Sequence, residues 1–420
     1  MFTITLFSIA HAALSAVSMN VIEGRAPVFK GYSGADKLGF TVRETKYSEA
    51  IGNIKGDVEE VFEPSLRLNE FEINTLISND FNIETDYYDE DGDEPHSMAP
   101  FTMGVLSYEW IERDGTKITD LNKMVGCSGL SLPLKLKITL PKVQAQSMYG
   151  LPKYSESVTL TKEYKITTKT GICFAKPNST DVHASYQWAN VSGGAWDWNG
   201  RNTAPNIIFG GGYNSDYEPN YGFRASAVTK FPTTGFVGGK FQLVMVGLQT
   251  DYTFTRIANP SSSVTVDANG YVTLNSKPSG PVTIRARLNA DSSIVHDYVF
   301  NPTKVWAIPK LGYGDYEWAK IECGTESAIL TRVELSNSPQ KTATNLTLQY
   351  PNAHTRAING GVFGEWGHTD NDSYPASQWG NFWYWTKDEY TDSAQFIVYS
   401  DVGPIHWGNK ISRFNVACRG

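Results

Sequence analysis

The sequence is poor in most of what metal, redox and nucleic-acid chemistry depend on. It has four cysteines and none spaced Cys-x-x-Cys, so neither a zinc ribbon nor a thioredoxin-type redox centre is encoded. Basic residues are outnumbered, 36 to 44, giving a net charge of −8. Binding a phosphate backbone needs a clustered basic face, and none is visible. Beyond the N-terminus no apolar run reaches the roughly 18 residues that a spanning helix requires. Gly-x-Ser-x-Gly, His-Glu-x-x-His, the phosphate loop and the dinucleotide fingerprint are all missing, which removes the commonest signatures of catalysis. Long helical periodicity is scarce as well, so a helix bundle is excluded.

What the chain does have is alternation. "LKLKITL" (Leu134–Leu140) sets Leu134, Leu136, Ile138 and Leu140 on one face and Lys135 and Lys137 on the other. "SVTLTKEYKITT" (Ser157–Thr168) and "FQLVMVGL" (Phe241–Leu248) are further strands. Short alternating runs between turn residues point to antiparallel β-sandwiches. Single cores rarely grow beyond roughly 250–300 residues, so a chain of 420 implies two to four domains.

The first residues, "MFTITLFSIAHAALSA", have the form of a secretory leader spanning residues 1–12. An apolar run from Phe2 to Ala10 leads into Ala10-His11-Ala12, a small-x-small site, with cleavage expected after Ala12. No Lys or Arg precedes the run, so either the leader is incomplete at its start or the segment is a buried strand. The four cysteines allow three connectivities. Proximity in sequence favours Cys127–Cys173 and Cys323–Cys418, bridges that persist in an oxidising compartment.

A first domain, Ig-like by architecture only, is expected over residues 26–177. In it Trp110 lies on an alternating strand ending at an Asp114-Gly115 turn, and a Trp in that setting packs beside a disulfide in immunoglobulin-like domains. "ETDYYDEDGDEPH" (Glu84–His96) carries seven carboxylates before Pro95 but lacks the EF-hand order, so it is read as a solvated acidic hairpin loop. Residues 178–227 form a Gly/Asn/Trp-rich connector. Trp188, Trp196 and Trp198 there either make a sugar-stacking platform or pack onto neighbouring domains, with packing preferred.

Over residues 228–301, "KFPTTGFVGGKFQLVMVG", "YTFTRIANPSSSVTVDANGYVTL" and "GPVTIRARL" resemble a bacterial Ig-like domain of the group-2 type. The residues agree: Val264 and Val266 alternate into an Asn269-Gly270 turn, and Val272 and Leu274 alternate out of it, a hairpin. Over residues 304–420 a cysteine comes first, then "CGTESAILTRVEL" (Cys323–Leu335), the best short helix candidate, with Thr325 as its cap. "GEWG", "YWT", the strand "AQFIVYS" and a terminal "VAC" follow. That order resembles the C-type-lectin-like domain of the intimin and invasin adhesins, which likewise follows an Ig-like domain. The resemblance implies a mainly β, multi-domain protein, with Ig-like β-sandwiches followed by an α+β lectin-like domain. It implies that Cys323–Cys418 ties the first helix of that domain to its last strand. It also implies a non-enzymatic adhesin whose tip binds a protein receptor on a host or bacterial surface, the Ig-like domains serving as a stalk. The expected location is secreted or at the bacterial surface, with a separate intimin-type β-barrel as export partner, since no barrel is assigned in this chain.

The expected binding residues flank the Trp cluster of Gly364–Thr386: Asp370, Asn371, Asp372, Tyr374, Gln378 and Trp379. Trp366, Trp383 and Trp385 are expected inside the fold, leaving Trp379 as the exposed aromatic anchor. No cofactor or metal is expected: the only Glu-Pro-Asn triplet, Glu218-Pro219-Asn220, lies outside the Cys323–Cys418 envelope, and Trp-Asn-Asp is absent. The alternative functions are sugar binding by the Trp-rich segments and, further off, glycoside hydrolysis. The latter would use Glu365 with Asp370 or Asp372, and His354, His368 or His406 as bases.

Overall fold

A computed structural model describes residues 24–182, 210–258, 262–344 and 352–420. The leader at residues 1–12 and Trp188, Trp196 and Trp198 lie outside the described residues. The fold is mainly β, in several sheets. It divides into two compact units: one takes residues up to Glu60, Asn69–Thr119 and Lys135–Ile166, the other Val61–Leu68, Asp120–Leu134 and Thr167–Gly420.

In the first unit the alternation of the sequence becomes a one-sided sheet. Strand β1 (Ser107–Ile111) pairs antiparallel with β3 (Leu134–Ala145) and with β2 (Lys117–Ile118), setting Trp110 opposite Leu136 and Ile118. Leu136, Ile138 and Leu140 are buried while Lys135 faces solvent, because neighbouring side chains on a strand point to opposite faces. Trp110 is buried edge-on against Phe71, at 5.1 Å between ring centres. Trp110 belongs to the first unit, whereas Cys127 and Cys173 belong to the second, in a cluster with Met124, Phe174 and Val246. In the acidic loop, one Asp89 oxygen accepts the backbone N–H groups of Asp91 and Asp93, so the carboxylate organises the turn itself.

Among the described residues the second unit holds three sheets. Strand β4 (Ile172–Pro177) pairs with β6 (Gly222–Arg224) on one side and β8 (Lys240–Met245) on the other. Strand β4 thus belongs to the second unit. That sheet continues through β11 (Tyr271–Leu274) to β10 (Val264–Val266), and on its other side ends at β5 (Tyr217–Glu218). The β10–β11 hairpin forms as expected, closed by Asp267, whose carboxylate accepts the N–H groups of Asn269 and Tyr271, and by Gly270 at φ +77°. A three-stranded sheet of β9 (Tyr252–Ala258), β12 (Val282–Leu288) and β13 (Val295–Phe300) shares one core with it, which makes a sandwich.

The third sheet runs β7 (Thr234–Phe236), β14 (Val305–Pro309), β18 (Asn415–Arg419), β15 (Trp383–Thr391), β16 (Ala394–Tyr399), β17 (Ile405–Asn409). Its β7–β14 and β15–β18 pairs are parallel. Strand β7 lies inside the segment assigned to the Ig-like domain, and Phe236 shares a buried cluster with Trp366, Tyr374 and Trp379. Residues 228–301 and 304–420 thus share one continuous core.

The helix expected over Cys323–Leu335 is also corrected. The helix is α1 (Tyr316–Glu322), which ends at Cys323, and Asp315 caps its start by accepting Trp318 N–H. Ile329 and Leu330 are buried in extended chain, Val333 is exposed, and only the single turn α2 (Arg332–Leu335) follows. That turn is opened by a reciprocal cap between Thr331 and Glu334, not by Thr325. Both bridges form as sequence proximity suggested, Cys127 to Cys173 and Cys323 to Cys418.

Candidate functional site

Helix α3 (Gly361–Trp366) is buried along its whole length and ends at Gly367, where φ is +73°. Two constraints demand glycine there. The left-handed backbone disfavours a side chain, and a Cβ would meet the Arg356 guanidinium at 1.6 Å. Arg356 is itself fully buried, donating to the carbonyl oxygens of Ser179 and Glu365 and lying over the Tyr217 ring at 4.8 Å. The polar loop that follows, residues 367–382, leaves from this fixed point.

Inside the loop the expected site residues separate into two sets. Asp370, Tyr374 and Trp379 point inward. One Asp370 oxygen accepts the N–H groups of Asp372 and Ser373, at 3.1 and 2.8 Å, which shapes the turn. The Tyr374 hydroxyl donates to Trp366 O at 2.7 Å, and its pKa is raised by burial. Trp379 is fully buried against Phe363, Tyr384 and Phe236, so its expected role as the exposed aromatic anchor is corrected. Trp366 and Trp385 are interior as expected, their indole N–H groups donating to Thr234 and Gly314. Trp383, expected inside, is partly exposed beside Tyr399 and His406.

Asn371, Asp372 and Gln378 face solvent. With its amide oriented to pair donors with acceptors, Asn371 donates to the carbonyl oxygens of Ser377 and Trp379, each at 3.0 Å. Its side chain therefore braces the loop it stands on. Exposed Phe382 lies just beyond, its N–H held by the Ser400 hydroxyl.

His368, which the sequence offered as a base, sits between two carboxylates. Its Nε2 is 2.8 Å from Asp370 Oδ2 and its Nδ1 is 3.0 Å from Asp401 Oδ1. Burial lowers the pKa of the ring, but pairing with Asp401 and the charges of Asp370 and Asp181 outweigh it, and the net shift is upward. Among the described residues no group of three or more His, Cys, Asp or Glu side chains is arranged to hold a metal ion.

Glu365, one of the two carboxylates of the alternative glycosidase reading, is fully buried in α3. Its carboxylate accepts from the N–H and hydroxyl groups of Thr233 and Thr234 and from Asn359 N–H, five donors at 2.6–3.2 Å. Burial raises its pKa while these donors pull it back. A carboxylate so enclosed pins α3 to β7 and has no face left for a substrate. Glu218 of the Glu-Pro-Asn triplet is likewise engaged, in ion pairs with Arg67 and Arg224.

The match to a family model falls on the sandwich. Residues 218–300 match the family model described as invasin, domain 4. Through this segment the chain is similar to the intimin/invasin family. The invasin crystal structure, titled a bacterial integrin-binding protein, is 18% identical, covers 92% of this chain and 60% of its own, and has a TM-score of 0.38. This chain thus spans about 60% of the length of that invasin structure. A C-terminal 282-residue fragment of intimin, solved with the intimin-binding domain of the translocated intimin receptor, is 15% identical over 76% of this chain and 86% of its own, at a TM-score of 0.34. Intimin-190 from enteropathogenic E. coli is 22% identical over 46% and 90%, at 0.26. Likeness at these scores carries no argument about fold or activity. No curated protein matches the chain.

Proposed function

We propose that this intimin/invasin-like chain is a non-enzymatic adhesin that grips a protein on a host or bacterial surface. The gripping surface is the outward face of the loop at residues 367–382. The observation that carries this reading is the division within the loop: Asp370, Tyr374 and Trp379 are buried and fix the backbone, while Asn371, Asp372 and Gln378 are presented to solvent. Polar side chains on a loop held by a rigid scaffold suit recognition of another protein. The engagement of Glu365 by five donors supports a structural role for the carboxylate that catalysis would need. Presentation at, or release from, the bacterial surface through a separate intimin-type β-barrel belongs to the same reading. Among the described residues no helix is long and apolar enough to cross a membrane, which says nothing of β-barrels.

The test is surface binding by the full chain and by the double variant Asp372→Ala, Gln378→Ala, which leaves the bracing Asn371 in place. Binding to intact host or bacterial cells should be protease-sensitive and should fall at least about tenfold in the variant, since a few residues carry most of an interface's energy. Its thermal unfolding should match the parent. Undiminished binding by the variant would move the site elsewhere, and specific binding on a glycan array would replace the protein partner with a sugar.

A further inference from the structure

The loop proposed as the binding face is tied down at one point by a histidine placed between two carboxylates. His368 Nε2 lies 2.8 Å from Asp370, within the loop, and its Nδ1 lies 3.0 Å from Asp401, in the turn between β16 and β17; both are ion-pairing distances, and neither Nε2 nor Asp401 Oδ1 is aligned for a hydrogen bond. These side chains have little access to water: Asp370 and Asp401 expose 11% and 4% and His368 24%. The groups facing the ring come from three segments. Asp370 is on its own loop, Asp401 on the β16–β17 turn, and Asp181 on the segment after β4; Ser179 on that same segment accepts the backbone N–H of His368 through its hydroxyl. The Arg356 guanidinium packs against Gly367, the residue before His368.

An imidazolium has two N–H donors and can serve both carboxylates at once. A neutral imidazole has one donor and one lone pair, so it can satisfy only one carboxylate and must turn a lone pair toward the other. We infer that His368, Asp370 and Asp401 form a protonation-dependent clamp that holds the 367–382 loop in its binding form under mildly acidic conditions and slackens it as the ring loses its proton. The regulatory part of this inference rests on the proposed role of the loop; the clamp itself does not. The direction follows from linkage. The folded-state pKa of His368 is raised above its ordinary value, so the clamp's contribution is complete below about pH 6.5 and is lost as pH rises through the folded pKa. A neighbouring reporter is the bonded backbone of the loop, Tyr374 N–H to Asp370 O and Ser377 N–H to Tyr374 O.

The experiment is NMR on the unbound full chain with labelled histidine, read from about pH 5 to pH 9, with amide exchange of Tyr374 and Ser377 measured at each pH. The expected result is a His368 midpoint above the ordinary 6.5 and a loss of loop protection of about tenfold, beyond the intrinsic pH dependence of exchange, centred on that midpoint. His368→Gln and Asp401→Asn should abolish the pH-linked step while leaving the exchange of sandwich amides unchanged. A midpoint at or below 6.5, loop protection indifferent to the titration, or the same step in His368→Gln would overturn the clamp. Both readouts are taken without a partner, so failure of the adhesin reading and failure of the clamp are told apart.

Discussion

Residue by residue, burial decides role more firmly than residue type does. Trp379 and Gln378 are chain neighbours with opposite fates, one fully buried among aromatic rings and the other in solvent. Trp379→Ala should cost about 3–5 kcal/mol of stability, because removing a buried indole loses its transfer energy and leaves a cavity. Gln378→Ala should stay within about 0.5 kcal/mol, the usual range for an exposed polar position. Chemical denaturation of the two variants checks the pair, and equal effects would contradict the geometry. Glu365 teaches the same lesson from the polar side: five donors around one carboxylate explain why an acid survives at the centre of an apolar core.

At the scale of elements, regular structure near the C-terminus is short and depends on covalent and polar ties. Helix α1 has seven residues and buries only Tyr316 and Ala319, far too little to persist alone. Cys323 at its end is joined to Cys418 on β18 across 95 residues. Replacing Cys323 and Cys418 by serine should cost about 4.7 kcal/mol in the chain-entropy account, visible as a lower denaturation midpoint. Greater protease susceptibility at residues 310–330 should accompany it. The same brevity explains why the helix was misplaced in the sequence. Its buried positions, Tyr316, Ala319 and partly buried Cys323, form a sparse stripe, whereas Ile329, Leu330 and Leu335 downstream form a denser one that belongs to extended chain and a single turn.

Taken whole, the second unit is one cooperative body in which the sandwich and the terminal sheet share side chains. Parallel pairing of β7 with β14 and the seating of Glu365 on Thr233 and Thr234 cross the boundary expected near residue 301. Truncation after Asn301 should therefore leave Phe236 and the β7 edge uncovered and lower the thermal midpoint of the remaining sandwich, with aggregation as the visible sign. A fragment that unfolds at the parent's temperature would show the two parts to be independent.

The alternation of Leu134–Leu140, the β10–β11 hairpin around Asn269-Gly270, and the mainly β class were legible in the sequence, because a period of two and a left-handed glycine are local requirements. The family resemblance was legible for a related reason: its motifs are contiguous. The fate of each tryptophan, the enclosure of Glu365 and the meeting of His368 with Asp401 were not. Each depends on segments far apart in the chain, Thr233 with Glu365 or His368 with Asp401, and no local pattern records which of them will share a core. Which residues are polar, aromatic or able to turn was settled by the sequence; which of them face water was settled only when the sheets closed over α3.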